Sequence, residues 1–276
     1  MTGAPALPAP KGPLAVLTVT RDNHAGLLAT HTSLRGQSVD DCVWLVADGG
    51  STDGTADWLA AQSDAQSNLV WWRSAPDGGP YGGMNHALDA ACALGCGHAL
   101  FLNAGDQLAE ADTLARLLDA IRQAPDAALL YGDALESMGD GRILLKVART
   151  HKRAALGMFT HHQAMIYRIG AVRDLRFDPS YEIAADYAFT LATMTRGPIA
   201  RLPFPVCLFA AGGLSQQKIM QGRREQARVR RAFFGHGRLR ESLLSASQWA
   251  ASALRRHVPA VYEFYRFRKS ERFFLS

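Results

Sequence analysis

Cysteine is scarce in this chain of 276 residues, and its four copies form no CxxC pair. Metal-binding cysteines are therefore not expected. The cysteine content instead predicts a reducing, cytoplasmic compartment. Long apolar runs are missing as well, since no uninterrupted stretch approaches the roughly 20 residues that span a bilayer. The N-terminus shows no charged region followed by an apolar one, so a secretory leader is not expected either. Any membrane contact is therefore predicted to be peripheral.

The sequence does contain enough apolar side chain for a full core. Hydrophobic residues make up 48% and charged residues 20% of the chain, which fits one large α/β domain with or without an appendage. Residues 218–276 carry fourteen Lys or Arg against four Glu, whereas the rest of the chain has more acidic than basic residues. We predict a disordered leader at residues 1–13, a folded domain at residues 14–215 and a basic, aromatic-rich helical region at residues 216–276.

An acidic turn follows an apolar run in the first quarter of the chain. The run at residues 43–47 stops at Asp48 and two glycines, and a helical pattern starts at Thr55. This order predicts a strand, a turn and a helix N-terminus. A second buried strand is predicted at residues 14–20, and Asn23 lies in the loop after it. Because ligands of open α/β sheets bind at the carboxyl ends of strands, Asp48 is a candidate ligand contact.

Two further strands are predicted at residues 69–73 and 98–102, each followed by a polar loop. The loop at residues 75–85 has four glycines and two prolines ahead of a helix expected from residue 87. It either brings backbone N–H groups close to a phosphate or forms a plain long turn. The other loop ends in Asp106, which either holds a hard divalent cation together with substrate phosphates or caps the helix predicted at residues 114–121.

Three consecutive βα units predict a parallel sheet with helices on its faces. The second half is predicted to be mixed, with strands at residues 129–133 and 142–147 joined by a hairpin turn at 138–141, and another at 163–167. A helix is predicted at residues 181–194, with Glu182 and Asp186 four residues apart. Like charges at this spacing repel each other. Asp186 is interpreted either as a general base at the edge of the core or as a solvated carboxylate.

Four segments together resemble the successive motifs of family 2 glycosyltransferases. They are residues 17–23, 44–55, 77–85 and 100–106, which read LTVTRDN, WLVADGGSTDGT, DGGPYGGMN and LFLNAGD. The resemblance is to the bacterial colanic-acid and exopolysaccharide type and covers about residues 14–215. It implies a GT-A fold, in which a Rossmann-like, mostly parallel central sheet is flanked by helices. It also implies inverting transfer of a sugar from a UDP-, GDP- or dTDP-linked donor to a hydroxyl of a glycan or lipid-linked oligosaccharide acceptor in polysaccharide biosynthesis.

The resemblance implies roles for individual residues as well. Asp186 matches the catalytic base of the family, and Asp106 matches the last acidic residue of the motif that binds Mg²⁺ or Mn²⁺. The acceptor side is lined by His162, Gln163, Tyr181 and Glu182. Contacts to the nucleotide-sugar donor are implied for Thr18, Thr20, Asn23, Asp48, Gly49, Ser51, Asp77, Tyr81, Asn85 and Asn103. Within this set, Asp48 is the residue that contacts the nucleotide base.

The sequence departs from the family pattern at two positions. Asn103 stands where the metal motif usually has a carboxylate, and Gly82 stands where close relatives commonly have Asp. These changes leave open a catalytically silent relative that binds sugar nucleotides. A nucleotidyltransferase is a weaker alternative, because residues 18–26 form no basic, glycine-rich loop. A Rossmann dehydrogenase is weaker still, because the first βα turn lacks GxGxxG.

The basic region mixes arginines with aromatic residues at helical spacing, including Arg223, Arg228, Trp249 and residues 262–269. On an interfacial helix this composition attracts an anionic leaflet, here the inner face of the cytoplasmic membrane. The alternative is a solvated helical appendage that packs on the catalytic domain. Nucleic-acid binding is not expected, because no recognition motif is present.

Overall fold

A computed structural model of the chain describes residues 12–63, 68–138, 141–210 and 218–235, together with residues 237, 241, 244, 272 and 273. Most of the predicted leader and the middle of the predicted hairpin turn lie outside the described residues. The same is true of much of the predicted basic region, including Trp249 and residues 262–269.

Strands and helices alternate through the first half of the chain. The strands are β1 (Leu14–Thr20), β2 (Cys42–Asp48), β3 (Leu69–Ser74), β4 (His98–Phe101), β5 (Gln107–Leu108), β6 (Leu129–Ser137), β7 (Ile143–Lys146), β8 (Met165–Arg168), β9 (Ile199–Phe209) and β10 (Arg272–Phe273). The α-helices are α1 (His24–Arg35), α2 (Thr55–Ser63), α3 (Pro80–Ala93), α4 (Thr113–Gln123), α5 (Ile169–Val172), α6 (Ala185–Thr193) and α7 (Ile219–Phe234). Short 3-10 helices occupy His151–Leu156 and His162–Ala164.

Strands β3, β2, β1 and β4 lie side by side in that order and run parallel. Thr20 of β1 lies opposite Asp48 of β2, and Asp48 lies opposite Ser74 of β3, so these strands end at one edge. Every residue of β1 is buried, as expected for a strand covered on both faces. The predicted parallel βα units are therefore confirmed, and they bring their loops to the same edge of the sheet.

The sheet continues beyond β4 through β8, β6, β7 and β10 in antiparallel pairs. The predicted hairpin pairs β6 with β7. Strand β9 was not predicted from the sequence; it runs parallel to β6 and also pairs with β5. Pro203 and Pro205 interrupt its apolar pattern, and proline argues against an ordinary strand. The pairing of β6 with β9 shifts register at Asp133, which lies opposite Pro205.

Alternate side chains of the central strands face two hydrophobic layers. Leu17 and Val19 of β1 lie in the layer that contains α3 and α6, whereas Leu14 and Val16 lie in the layer that contains α1 and α4. Burying one such side chain stabilises the fold by about 1.5–3 kcal/mol. The predicted α/β fold, with helices on both faces of the sheet, is therefore confirmed.

Helix α3 begins at Pro80 rather than at residue 87. Gly78 and Gly79 have φ values of 77° and 113°, a left-handed conformation that favours glycine. Pro80 occupies the first helical position, where its fixed φ is favourable. The N–H groups of Gly82 and Gly83 donate to the Gly79 carbonyl oxygen at 2.9 and 3.1 Å. The predicted glycine-rich loop is therefore a short turn followed by a helix that contains residues 81–85.

Helix α6 begins at Ala185 rather than at residue 181. Glu182 precedes the helix and Asp186 lies in its first turn, so the prediction that both lie on one helix is wrong. The N–H groups of Glu182, Ile183 and Ala184 donate to the carboxylate of Glu225 on α7 instead. Among the helices of the described ranges, none combines the length and the apolar character needed to cross a membrane.

Candidate functional site

Hydrogen bonds join the loops that follow β1 and β2. Asp22, which has a φ of 47°, accepts from the Thr52 N–H at 2.8 Å, and its own N–H donates to Ser51 Oγ at 2.7 Å. Asp53 accepts from the His24 N–H at 2.8 Å. These bonds hold the two loops together at the carboxyl edge of the sheet.

Asp48 ends β2 with only 1% of its surface exposed. Its carboxylate accepts from the Ser74 hydroxyl at 2.6 Å and from the Ser51 N–H at 3.0 Å. The Ser51 hydroxyl donates to it as well. These donors matter because a buried carboxylate without partners is strongly destabilising. Asp48 therefore anchors the turn that contains Ser51, at the strand end where a ligand contact was predicted.

The carboxylate of Asp77 lies against two glycines. A Cβ added at Gly49 would lie 3.2 Å from Asp77 Oδ2, and one added at Gly83 would lie 2.7 Å from the same atom. Asp77 also accepts from the Gly79 N–H at 2.8 Å. The loop after β2 and the first turn of α3 approach this carboxylate closely because neither glycine has a side chain. Two predicted donor contacts, Gly49 and Asp77, are thus brought together.

Thr18 and Asn23 make structural contacts. The buried Thr18 hydroxyl donates to the Leu102 carbonyl oxygen at 2.7 Å and accepts from Trp44 Nε1 at 2.8 Å. Asn23 caps α1 by accepting from the Gly26 N–H at 3.1 Å. Both polar side chains are used within the protein, so neither stands out as a ligand contact.

Thr20 and Asn103 differ from them. Thr20 Oγ1 and Asn103 Oδ1 are buried, and neither has a hydrogen-bond partner among the described residues. Most buried polar atoms in proteins are paired. Thr20 is the last residue of β1, and Asn103 follows the neighbouring strand β4. Both therefore lie at the edge of the sheet where Asp48 lies. Within the predicted donor set, these two atoms therefore have hydrogen-bonding capacity that no described residue uses.

Asp106 lies in the loop after β4 and is 5% exposed. Its Oδ1 accepts from the Ala210 N–H at 2.9 Å. Burial raises the pKa of Asp106 to about 7, although the Ala210 N–H and the Gln163 side chain favour the ionised form. Helix α4 begins at Thr113, after Asp112, so the alternative that Asp106 caps this helix is wrong.

A metal ion at Asp106 would have few protein ligands. Within the described ranges, no group of three or more His, Cys, Asp or Glu side chains is placed to hold a metal ion. The Asp106 carboxylate and the unpaired Asn103 oxygen are nevertheless the oxygen ligands that Mg²⁺ and Mn²⁺ prefer. The residues present therefore fit a cation that takes its remaining ligands from water and from a phosphate-containing substrate.

Tyr81 and Asn85 of α3 face the second half of the chain. Asn85 donates to the Phe177 carbonyl oxygen at 2.9 Å and accepts from the Phe177 N–H at 2.8 Å. The Tyr81 hydroxyl donates to the Ile183 carbonyl oxygen at 2.7 Å and lies 3.4 Å from Asp186 Oδ1. Helix α3 therefore connects the Asp77 turn to the segment that carries Asp186.

Asp186 is a partly buried carboxylate in the first turn of α6. Burial raises its pKa to about 6, and the negative charge of Glu225 acts in the same direction. Hydrogen bonds from the Tyr187 N–H, at 2.7 Å, and from Tyr81 favour the ionised form. A carboxyl group with a pKa near neutrality is suited to general base catalysis, which distinguishes Asp186 from an ordinary solvated carboxylate.

On the predicted acceptor side, His162 lies among aromatic rings. Its ring stacks on Phe101 with centroids 5.0 Å apart and meets Phe177 edge-on at 5.6 Å. Burial lowers the pKa of His162 to about 3, so the imidazole is neutral near pH 7. Tyr181 packs against Arg228 of α7, whose guanidinium carbon lies 3.8 Å from the ring centroid.

Two residues of the site, Ser74 and Glu225, are not indicated by any local sequence pattern. Ser74 lies opposite Asp48 in the register of β2 and β3, and that pairing is the only feature that points to it. Glu225 lies among Arg223, Arg224 and Arg228 and was counted there as part of a basic region. Its bonds to residues 182–184 join parts of the chain about forty residues apart, so no local pattern indicates them.

Solved glycosyltransferases share this fold. S. aureus TarS in complex with UDP-GlcNAc matches with a TM-score of 0.64 and 20% identity, over 91% of this chain and 75% of that one. A mannosyltransferase from Pyrobaculum calidifontis in complex with GDP-Man and Mn²⁺ matches with a TM-score of 0.59 and 15% identity, over 96% and 86%. At these identities the match establishes the fold alone, a mixed α/β sheet flanked by helices.

Sequence relatives establish the family. A PGL/p-HBAD biosynthesis glycosyltransferase of Mycobacterium bovis is 30% identical over 178 residues, which are 64% of this chain and 68% of the relative. An uncharacterized glycosyltransferase of Mycobacterium tuberculosis is 27% identical over 224 residues, 79% of this chain and 80% of the relative. No family model matches the chain. The chain belongs to the glycosyltransferases.

Proposed function

We propose that this glycosyltransferase moves a sugar from a nucleotide-diphosphate donor to an acceptor hydroxyl in one inverting displacement, with Asp186 as the general base. The acceptor oxygen attacks the anomeric carbon while the bond from that carbon to the diphosphate oxygen breaks. The leaving diphosphate takes the bonding electron pair, and Asp186 takes the hydroxyl proton. The observation that carries this proposal is the partly buried Asp186 carboxyl group, whose pKa is raised to about 6.

The donor is proposed to bind at the carboxyl edge of β1–β4. Thr20 Oγ1 and Asn103 Oδ1 offer unpaired polar atoms there, and the Asp77 carboxylate lies close against Gly49 and Gly83 at the same edge. Two solved structures with the same fold contain UDP-GlcNAc and GDP-Man. This supports nucleotide-linked sugars as the donor, and UDP-, GDP- and dTDP-linked sugars are the candidates. Thermal shift with each donor in the presence of Mn²⁺ tests this, because a ligand of the native state raises its stability.

Asp48→Asn is expected to raise the donor Kd about 10- to 100-fold with little change in kcat. A hydrogen bond to a charged group contributes about 1.5–3 kcal/mol, and we propose that Asp48 contacts the nucleotide base. The matched control is Asp41→Asn, at the exposed opposite end of β2, which should leave donor affinity unchanged. Isothermal titration with the donor measures the effect. Lower turnover with unchanged donor affinity would contradict this role.

The metal is proposed to be Mg²⁺ or Mn²⁺, held by Asp106 and Asn103 together with the donor phosphates. When bound, such a cation offsets the negative charge that develops on the leaving diphosphate. The solved structure of the Pyrobaculum mannosyltransferase contains Mn²⁺, which supports the choice of metal. Because the protein itself supplies few ligands, metal affinity is expected to depend on the phosphates.

Mn²⁺ and UDP together should therefore raise the melting temperature of the wild-type protein more than the sum of their separate effects. Asp106→Asn should abolish this joint effect, since the amide keeps an acceptor for the Ala210 N–H but lacks the negative charge. Asp112→Asn, at an exposed position directly ahead of α4, is the control and should behave as wild type. If the joint shift survives in the Asp106 variant, the metal binds elsewhere.

We also propose the finer assignments: family 2, the GT-A type of exopolysaccharide enzyme and a lipid-linked acceptor in polysaccharide assembly. The name of the mycobacterial relative refers to PGL/p-HBAD biosynthesis, which supports a glycan-related pathway. Peripheral contact with an anionic membrane, at the cytoplasmic face, remains part of the proposal. It is supported by α7, which carries five arginines and exposes Ile219, Met220, Phe233 and Phe234.

A catalytically silent relative is the second candidate, and it was suggested by Gly82 and Asn103. The geometry at Gly82 weakens it, because a Cβ at this position would lie 1.8 Å from the Asp77 carbonyl oxygen. Glycine is thus a requirement of this turn and not simply a lost acidic side chain. Detectable sugar transfer by the wild-type protein would exclude this candidate.

A further inference from the structure

Helix α7 packs against residues 180–184, the segment that leads into α6. Arg228 Nη2 donates to Ser180 Oγ at 2.5 Å and to the Ser180 carbonyl oxygen at 3.2 Å. At Gly222, an added Cβ would lie 3.0 Å from Ile183 Cγ2, so the Ile183 side chain packs closely against the backbone of α7. The described part of the predicted basic region therefore contacts the segment directly ahead of the helix that contains the candidate base.

Glu225 makes the central contact of this interface. Its Oε1 accepts from the Glu182 N–H at 3.1 Å, and its Oε2 accepts from the N–H groups of Ile183 and Ala184 at 2.8 and 3.0 Å. Ala184 is the N-cap of α6, and the N-terminal end of a helix favours a negative charge nearby. Although burial opposes ionisation, these three N–H groups and the Gln221 side chain hold the pKa of Glu225 below its usual value.

The peptide units of Ile183 are held from both sides. Glu225 binds the N–H of Ile183, and the Tyr81 hydroxyl binds its carbonyl oxygen at 2.7 Å. Tyr81 also lies 3.4 Å from Asp186 Oδ1. Contacts from α3 and α7 thus converge on the backbone three residues ahead of Asp186.

We propose that Glu225 is a positioning residue for the transfer reaction: from α7 it fixes the backbone of residues 182–184 and thereby the orientation of Asp186. This inference rests on the proposed function, because it assumes that Asp186 is the base. It gives the region beyond residue 215 a part in the site, distinct from any contact with a membrane. Displacing a catalytic group by about 1 Å can lower a rate about 100-fold.

At Glu225, the effect of its negative charge on Asp186 can be separated from its effect on the position of residues 182–184. Asp186 is faced by Tyr81 from α3, by Tyr167 from β8 and by Glu225 from α7. Glu225 is in turn bonded to Gln221 at 3.0 Å and lies near Arg228, while Glu182 is bonded to Lys218 and Gln221. Among the side chains of the described ranges that face Asp186, Glu225 is the one that carries a negative charge at neutral pH, so its removal should stabilise the ionised form of Asp186.

Two substitutions test the proposal in the full-length protein. Glu225→Gln removes the charge and replaces one acceptor oxygen with an NH₂ group that opposes the backbone N–H groups. It should lower kcat about 10- to 100-fold, leave the donor KM within about twofold and move the acid limb of the kcat–pH profile to lower pH.

Glu225→Asp keeps the charge but shortens the side chain, so kcat should fall while the acid limb of the kcat–pH profile stays in place. Glu110→Gln, in an exposed pair with Arg116, is the matched control.

Hydrogen exchange supplies a readout that needs no activity. The amides of residues 182–184 should exchange at least about tenfold faster in Glu225→Gln than in Glu110→Gln, and the pKa of Asp186, followed by carboxyl NMR, should fall. Unchanged exchange, or a kcat within twofold of wild type, overturns the proposal even if the wild-type protein transfers sugar. If the wild-type protein transfers no sugar, the proposed function fails, and exchange and NMR still decide whether Glu225 positions Asp186.

Discussion

Asp186→Asn is expected to lower kcat for sugar transfer by about 10²–10⁴-fold, the usual contribution of a general base. The amide has nearly the same shape as the carboxyl group and keeps an oxygen for the Tyr187 N–H, but it cannot accept the acceptor's proton at neutral pH. Donor affinity should stay within about twofold, because the proposed donor contacts lie at the ends of β1–β4.

The control for this substitution is Asp174→Asn, an exposed carboxylate paired with Arg196. It removes the same charge without touching the site and should leave kcat unchanged. Initial rates with the donor found by thermal shift, and donor Kd by titration, measure both effects. Transfer that persists at the wild-type rate in Asp186→Asn would show that another group is the base.

The pH dependence follows from the pKa of Asp186, which burial raises to about 6. The base must be ionised, so wild-type kcat should fall about tenfold for each pH unit below 6. Stability responds in the opposite direction. The unfolded carboxyl group ionises near pH 3.8 and the folded one near pH 6, so raising the pH through this window favours unfolding. Asp186→Asn should therefore melt at a higher temperature than wild type above pH 6, and this difference should shrink towards pH 4.

Local sequence patterns predict those parts of the fold in which apolar runs end at glycine and acidic residues. Strands β1–β4 were predicted for this reason, and the edge that gathers Thr20 and Asp48 follows from parallel pairing. Strand β9 was not predicted, because its prolines argue against a strand. Ala210 directly follows this strand, so the hydrogen bond from the Ala210 N–H to Asp106 could not be predicted either. Residue type alone also does not separate a ligand contact from a structural one, as Thr18 and Asn85 illustrate.

The start of α3 is a second feature that local sequence patterns do not predict correctly. Two glycines and a proline predict a loop when read locally, yet Pro80 at the first helical position begins the helix. This changes the meaning of Gly82. Read as part of a loop, it is a missing acidic side chain. Read as the third residue of a helix, it is the point where the helix passes the Asp77 carbonyl oxygen.

Gly82→Asp, which restores the residue common in the family pattern, is therefore expected to be harmful. Its Cβ would lie 1.8 Å from the Asp77 carbonyl oxygen, a backbone atom that moves only if the turn from Asp77 to Pro80 is rebuilt. Forcing extra atoms into a packed region costs about 1–3 kcal/mol or more. An acidic residue in the first turn of a helix gains only about 0.3–1 kcal/mol, so the clash dominates.

The expected result is a melting temperature lower by at least about 2 °C and a donor affinity lower by about tenfold or more, because the Asp77 carboxylate beside Gly49 moves with the turn. Gly170→Asp is the matched control: it is also a helical glycine, but its added Cβ meets no atom within 4 Å. It should change neither quantity appreciably. Differential scanning calorimetry and donor titration on both variants measure the difference. A Gly82→Asp protein with wild-type stability and tighter donor binding would mean that Asp77 and α3 rearrange readily, and that Gly82 is a lost donor contact after all.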